Sequence, residues 1–577
     1  MKKVDRLSLR AFADQLEAQL ESLSPEQLRE VIRQLARNLP PRERGGFLAR
    51  LVPERTSAAI LTLARPESLV ADVLALRESQ IADMTRPGHH YRERREDNHN
   101  FHGAYGKYGP ELETLFERAG AVFELGKFEL ARDTYHGLFE VLALKDDYGF
   151  GVHRPAGLDL RRERGRFLRA VIEAAPQAKA KMLLETARRL RERLWDAADL
   201  SLTEAFQCAP LAFEGKDQVL DDLVKLLTED PDRESDRWLR EVTRLRHGAR
   251  GMEALARADG ERRPRAWIDW LEMVAAENAP DRLLAAAKDA LAGIADGLNL
   301  RAVAADHLVR AATDLGDREA GMLGRWEAYR ADPCPRRLID LWEGAASPLE
   351  RREWMLRAVA YGEQGGEALL PGPFVGGTGR EEDPPCLERG DGFYDAASPA
   401  TTTCARLLAG EWQSTLEDAR SKSPGGWRYG DASIQTVLSL LMAWFAGWPG
   451  RELTGNLADL LNQTLALADE RDETASRTSI RLRNAFAEAV STWTPPTTVE
   501  GQVEAVGKLA LREVGALLEA SNGTAERQAA LLAAAVADLH CARGNRDAGE
   551  RVFDRALSRH DRKPDFKKEL NARRNLR

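Results

Sequence analysis

Apolar residues recur at helical spacing along almost the whole chain, and this periodicity constrains the fold more than any other feature. In "SLSPEQLREVIRQLARNLP", residues 22–40, an apolar stripe at positions i, i+3, i+4 and i+7 begins at Leu28 and ends at Leu35. Ser24 and Gln27 have the spacing of a capping box at the start of a helix. The segment therefore predicts one amphipathic helix.

The same pattern is found in many other segments, including "QVLDDLVKLLTED" and "GQVEAVGKLALREVGALLEA". Ala, Leu, Arg and Glu dominate the composition, and these residues favour helices because they lose little side-chain freedom there. Alternating runs of β-branched residues, which would indicate strands, are almost absent. We therefore predict an all-α fold.

Two stretches interrupt the helical pattern. Residues 86–110 are polar and rich in His and Arg, and residues 362–403 are rich in Gly and Pro without an apolar stripe. A segment as long as the second is normally a linker or a functional loop. The chain is accordingly predicted to contain five parts: an N-terminal helical domain (1–85), a polar connector (86–110), a helical-repeat domain (111–361), a Gly/Pro-rich linker (362–403) and a C-terminal helical domain (404–577).

One short pattern occurs three times, in "AVFELGKFELARDTYHGLFEVL", "RAATDLGDREAGMLGRWEAYRADP" and "ADLHCARGNRDAGERVFDRALSRH". Each copy places a glycine and a polar residue between two helical segments, with a small residue five positions after the glycine and an aromatic residue further on. The glycine would allow the turn, and the small residue would allow two helices to approach closely. The three sets are Gly126, Ala131 and Tyr135; Gly316, Gly321 and Trp326; Gly544, Gly549 and Phe553.

This pattern resembles the tetratricopeptide (TPR) repeat, in which Pro333 would be the closing proline. The glycines lie 190 and 228 residues apart, and neither interval is a whole multiple of the roughly 34-residue TPR period. The resemblance implies an irregular helical-repeat array, in two parts joined by the Gly/Pro-rich linker.

A second, looser resemblance concerns "GDREAGMLGRWEAYRADPCPRRLIDLWEGA" and residues 128–142. These stretches are similar to the helical regions that accompany SWIM-type zinc fingers in some bacterial proteins. The Cys and His pattern of the zinc finger itself is missing from this sequence. This resemblance implies a helical interaction region, without a zinc-dependent role.

The polar connector contains His89, His90, His99 and His102, together with basic and aromatic residues. Four histidines could bind a transition metal, although structural zinc sites usually combine histidine with cysteine at short fixed spacing. Basic residues interleaved with aromatics could instead grip single-stranded nucleic acid. We favour a plain connector, with no metal or other cofactor and no nucleic-acid partner, and keep the histidines as weak candidate ligands.

The remaining sequence narrows the class of protein. The longest apolar run, "VLSLLMAWFAGW", is shorter than the roughly 20 residues that a membrane helix needs, and the N-terminus has no apolar core of a secretory signal. The five cysteines form no CxxC pair, and no phosphate-binding loop or hydrolase signature is present. We predict a cytoplasmic protein without enzymatic activity or a membrane partner.

Two functions fit these observations. The first is a scaffold or adaptor that binds another protein, encoded by a neighbouring gene, on the face that stacked helical pairs leave open. The alternative is a regulator in a bacterial defence or stress-response system, such as antiviral defence, whose two helical parts are separated when a protease cuts the linker.

Overall fold

The structure is a computed structural model, and it describes residues 64–85, 106–145, 155, 157–194, 199–208, 213–230, 233–296, 298–368, 397–423, 432–466, 477–519 and 523–574. Within these ranges all regular structure is helical, so the predicted all-α fold is confirmed. No helix in the described ranges is both long enough and apolar enough to span a bilayer. The chain divides into two compact units, residues 1–216 and 217–577.

The first unit contains five described α-helices: α1 (Leu69–Met84), α2 (Gly109–Glu124), α3 (Phe128–Ala143), α4 (Leu160–Ala174) and α5 (Lys179–Arg193). Helix α3 packs against α1, α2 and α4, and α5 packs against α4. Aromatic rings fill the space between them, with ring centroids 5.5 Å apart for Phe116 and Phe139 and 5.4 Å apart for Phe139 and Phe167.

The second unit begins with eight α-helices: α6 (Lys216–Thr228), α7 (Arg233–Asp259), α8 (Arg265–Ala276), α9 (Pro280–Gly293), α10 (Leu300–Leu315), α11 (Arg318–Ala331), α12 (Pro335–Gly344) and α13 (Pro348–Ala368). Nine more follow after the predicted linker: α14 (Pro399–Leu408), α15 (Trp412–Ser421), α16 (Ser433–Phe445), α17 (Gly455–Ala466), α18 (Arg477–Thr492), α19 (Val499–Glu519), α20 (Gly523–Ala542), α21 (Arg546–Arg559) and α22 (Pro564–Arg574). Each helix from α7 to α13 packs against the next one along the chain, as in a stack of hairpins.

Two hydrophobic cores are formed by the described residues of the second unit. One extends from Met252 in α7 to Ala328 in α11. The other begins at Met322 in α11 and continues to Leu570 in α22. Helices on both sides of the predicted linker contribute to this second core, for example Met355 in α13 and Leu407 in α14. Most of the linker, residues 369–396, lies outside the described residues.

Helix α4 is buried although its sequence, "LRRERGRFLRAVIEA", is strongly charged. The Tyr135 hydroxyl donates a 2.6 Å hydrogen bond to Glu163. Arg166 donates to Glu163 at 3.2 Å and to Glu124 at 2.5 Å. Burial raises the pKa of Tyr135 well above its ordinary value, so the phenol stays protonated and acts as the donor. Buried charges are tolerated only when paired in this way.

A second buried ion-pair network joins α7, α8 and the turn between them. Arg263 is fully buried and contacts Asp236 at 3.1 Å and Asp259 at 2.5 Å. Asp236 also accepts from Arg240 at 3.1 Å, and Arg240 in turn contacts Asp269 at 2.5 Å. The network fixes the angle between these helices, because each charge needs its partner to remain buried.

Candidate functional site

The hairpin of α10 and α11 positions the candidate site. Its turn is made by Gly316, whose φ of 71° lies in the left-handed region. The N–H of Gly316 donates to the Thr313 carbonyl at 3.2 Å, and the N–H of Asp317 donates to the Ala312 carbonyl at 2.9 Å. These two bonds satisfy the end of α10 as in a Schellman motif. The Asp317 side chain then caps α11 by accepting from the N–H of Ala320 at 3.0 Å.

Helix α11 belongs to both cores of the second unit and still presents an apolar side chain to solvent. Ala320 and Ala328 lie in the first core, and Trp326 lies in the second. Between them, the side chain of Leu323 is 46% exposed. Single exposed leucines are common on protein surfaces, and Leu349 of α13 is more exposed at 67%, so Leu323 is of interest only together with the residues around it.

Aromatic side chains form the floor beside this surface. The Trp326 ring lies 5.7 Å from Trp354 of α13 and 6.0 Å from Tyr361, measured between ring centroids. The Tyr361 hydroxyl donates a 2.8 Å hydrogen bond to the Arg330 carbonyl and so fastens α13 to α11. Trp326 is almost completely buried, whereas Trp354 is partly exposed. The floor is therefore rigid and apolar with one accessible edge.

These helices line a groove of about 930 Å³. Its lining comes from alternate helices of the stack: Lys288 from α9, Leu323 and Trp326 from α11, and Trp354 and Arg357 from α13. These three helices alternate along the chain with α10 and α12, each of which packs against both of its neighbours. The volume of the groove falls in the range of sites that hold small ligands or side chains of a bound peptide.

Ion pairs lie near both ends of α11 in the groove. Arg318 at the start of α11 pairs with Glu350 at the start of α13. The N–H of Ala346 donates to Glu350 at 2.8 Å, and this bond, aided by Arg318, lowers the pKa of that carboxyl. Toward the end of α11, Glu327 contacts Arg330 at 3.2 Å. Apart from the residues of these ion pairs, the lining of the groove includes apolar side chains and further cations.

Two exposed cations in the groove have no carboxylate partner. Within the described part of the chain, no carboxylate lies within ion-pair distance of Lys288 or Arg357. Arg357 instead lies over two indole rings, with its guanidinium carbon 4.3 Å from the Trp326 centroid and 5.0 Å from the Trp354 centroid. The groove thus combines apolar surface with two cations that have no ion pair in the described residues.

The three predicted hairpin patterns lie in similar local structures. Gly126, Gly316 and Gly544 each follow one helix and precede the next, with φ values of 70°, 71° and 81°. Gly544 is followed by Asn545, which caps α21 as Asp317 caps α11. The small and aromatic positions of all three patterns are buried: Ala131, Tyr135, Gly321, Trp326, Gly549 and Phe553. Their equivalence as repeats of one unit stays a prediction.

A fourth hairpin of this kind was missed by the sequence reasoning. Gly410 has a φ of 83° and separates α14 from α15. Its N–H donates to the Leu407 carbonyl and the Glu411 N–H donates to the Arg406 carbonyl, both at 3.0 Å, as at Gly316. The usable signal was a glycine followed by a polar residue and, five positions after the glycine, the small residue Thr415.

The histidine candidates His89, His90, His99 and His102 lie outside the described residues, so the metal hypothesis and the plain-connector hypothesis both stay predictions. In the ranges that are described, no group of three or more His, Cys, Asp or Glu side chains could hold a metal ion. Burial raises the pKa of Cys208 to about 11, which keeps that thiol protonated and a poor nucleophile at neutral pH.

Comparison with known proteins adds no family to this picture. No protein-family model matches the chain, and no curated protein matches it in sequence. The function must therefore be argued from the groove itself.

Proposed function

We propose that this protein is a non-enzymatic scaffold or adaptor that binds a segment of another protein in the groove of α9, α11 and α13. The observation that carries the proposal is the exposed side chain of Leu323, which lines the groove together with the aromatic floor and with Lys288 and Arg357, two cations that have no ion pair in the described residues. Exposed apolar surface with a polar rim is typical of protein-binding sites. The rigid floor favours binding because little side-chain freedom remains to be lost.

The arrangement of helices supports the same proposal. TPR-like arrays bind partner segments on the layer formed by alternate helices, and the groove lies across three such helices. We propose that the protein acts in the cytoplasm and that its partner is encoded by a neighbouring gene. The bacterial setting inferred from the sequence resemblance is part of this proposal.

Site-specific photo-crosslinking in cells that carry the gene naturally tests the proposal. A photoreactive amino acid at position 323 should crosslink one partner protein reproducibly. The same amino acid at Leu226, a leucine of α6 with 37% exposure outside the groove, is the matched control and should not capture that partner. Equal capture at both positions, or capture at position 226 alone, would place the binding surface elsewhere.

The alternative, a regulator released by cleavage at 362–403, requires the two helical parts to separate once the chain is cut. Helices before and after this segment contribute to one core, which includes Met355 and Leu407. Separation would expose this apolar surface to water at a high free-energy cost. The shared core therefore favours the scaffold over the cleavage-released regulator.

A further inference from the structure

The orientation of Arg357 determines what the groove can recognise. Its guanidinium lies over the faces of Trp326 and Trp354, with centroid distances of 4.3 Å and 5.0 Å. A guanidinium that lies over aromatic rings can still donate hydrogen bonds from its planar fork of N–H groups. In the described residues none of these donors has a hydrogen-bond acceptor or a carboxylate partner. The arginine is thus held in place with its donor edge unused.

Several charged side chains around Arg357 are already engaged with one another. Arg318 is paired with Glu350, and Glu327 is shared between Arg330 at 3.2 Å and Arg301 at 2.8 Å. Asp317 is engaged as the cap of α11. The lining as a whole carries four Lys or Arg and four Asp or Glu side chains, so its formal charges balance; the two cations without an ion pair in the described residues, Lys288 and Arg357, lie on α9 and α13.

We infer that the groove recognises an acidic segment of a partner protein, in which a carboxylate pairs with Arg357 and a neighbouring apolar side chain contacts Leu323. This inference rests on the proposed function and adds the chemistry of the partner. A planar arginine and a carboxylate form two parallel hydrogen bonds, the strongest type of side-chain ion pair. Lys288, on the opposite side of the groove from α13, provides a second contact for an acidic segment that crosses α11.

The stacking also makes the ion pair more favourable than an ordinary surface pair. Exposed ion pairs contribute little, partly because two long side chains must be ordered. Here the indole rings already restrict the arginine, so only the side chain of the partner loses freedom. Specificity follows from the same geometry, because a lysine or arginine in the bound segment would face an unneutralised cation.

Selection of short random peptides by display on phage, against the full-length chain, tests the inference. Enriched peptides should carry Asp or Glu next to a large apolar residue. The double variant Lys288→Gln/Arg357→Gln should bind them at least about tenfold more weakly. The matched control is Arg555→Gln/Lys568→Gln, which removes two exposed cations of α21 and α22 that have no ion pair in the described residues, and it should leave the affinity unchanged.

A conservative variant separates charge from stacking. Arg357→Lys keeps the charge and loses the planar donors, so its affinity for the selected peptides should fall between those of the wild type and Arg357→Gln. Circular dichroism and thermal melting of each variant verify that it is folded. Binding should also weaken as salt concentration rises, because an exposed ion pair is screened.

The outcomes distinguish this inference from the proposed function. One outcome would overturn the inference and leave the scaffold proposal in place. In that outcome the selected peptides bind Leu323→Ser more weakly than the wild type, but they are not acidic and they bind Lys288→Gln/Arg357→Gln as tightly as the wild type. Non-acidic peptides that bind Leu323→Ser and Lys288→Gln/Arg357→Gln as tightly as the wild type would overturn both the inference and the scaffold proposal. A selection that enriches no peptide would also overturn the inference, since a linear acidic segment would then be insufficient.

Discussion

Replacing Arg263 with methionine tests whether the buried ion-pair network stabilises the second unit. Arg263 is fully buried and contacts Asp236, Asp259 and the carbonyl of Thr228. Asp259 is about one-third exposed and can be hydrated after the change, whereas Asp236 is 2% exposed and cannot. Breaking a buried ion pair by removing one partner costs about 3–5 kcal/mol, and we expect a loss in that range.

The loss should depend on pH, because it arises from a buried carboxylate. Burial already raises the pKa of Asp236, while Arg240 opposes that rise, and removing Arg263 raises the pKa further. In the unfolded chain the pKa is near its ordinary value of 3.8. The penalty is therefore complete above the raised pKa of the folded state, declines as the pH falls through it, and is absent below the unfolded value.

Urea unfolding at neutral pH and near pH 4, followed by circular dichroism, measures both effects. Arg257→Met is the control on the same helix, since Arg257 forms exposed ion pairs with Glu253 and Asp289. We expect it to lose no more than about 1 kcal/mol. An Arg263→Met loss as small as that of the control, or one equally large at both pH values, would refute the reasoning.

Three further predictions concern the hairpins and the predicted linker. Gly316→Ala should lower the free energy of unfolding by about 1 kcal/mol, because φ is 71° at this position and an alanine there is strained. Gly515 lies inside α19 with open space around it, so Gly515→Ala should be neutral or stabilising. Urea unfolding compares the two variants. Gly549→Leu should lower the free energy of unfolding by about 1–3 kcal/mol through overpacking, and a melting temperature equal to that of the wild type would contradict the hairpin assignment. A protease site placed within 369–396 and cut in the native protein should leave two fragments that elute together in gel filtration, because α11–α13 and α14–α22 share one core.

The sequence predicted the class of fold because helical periodicity and turn glycines are local signals. Gly316 and Asp317 illustrate this. Gly316 makes the turn that ends α10, and Asp317 caps the start of α11. The same signal was overlooked at Gly410, where the position that follows the turn carries Thr415 rather than glycine or alanine.

Features that depend on distant partners could not be predicted in the same way. The charged sequence of α4 is typical of a solvated helix. The helix is buried because residues of other helices engage its charges: Glu124 pairs with Arg166, and Tyr135 donates a hydrogen bond to Glu163. The groove is similar, since Trp326 and Arg357 are 31 residues apart and meet only when α11 and α13 pack together. Such pairs are decided by tertiary packing.

Hydrogen–deuterium exchange of the full chain, with and without the partner captured by crosslinking at position 323, tests the central claim most directly. The account predicts that peptides covering α11 (residues 318–331) and the first part of α13 (348–361) exchange more slowly in the complex. Peptides covering the surface of α21 (546–559) should exchange at the same rate in both samples. Slower exchange at α21 with no change at α11 and α13 would contradict the claim that the groove is the binding site.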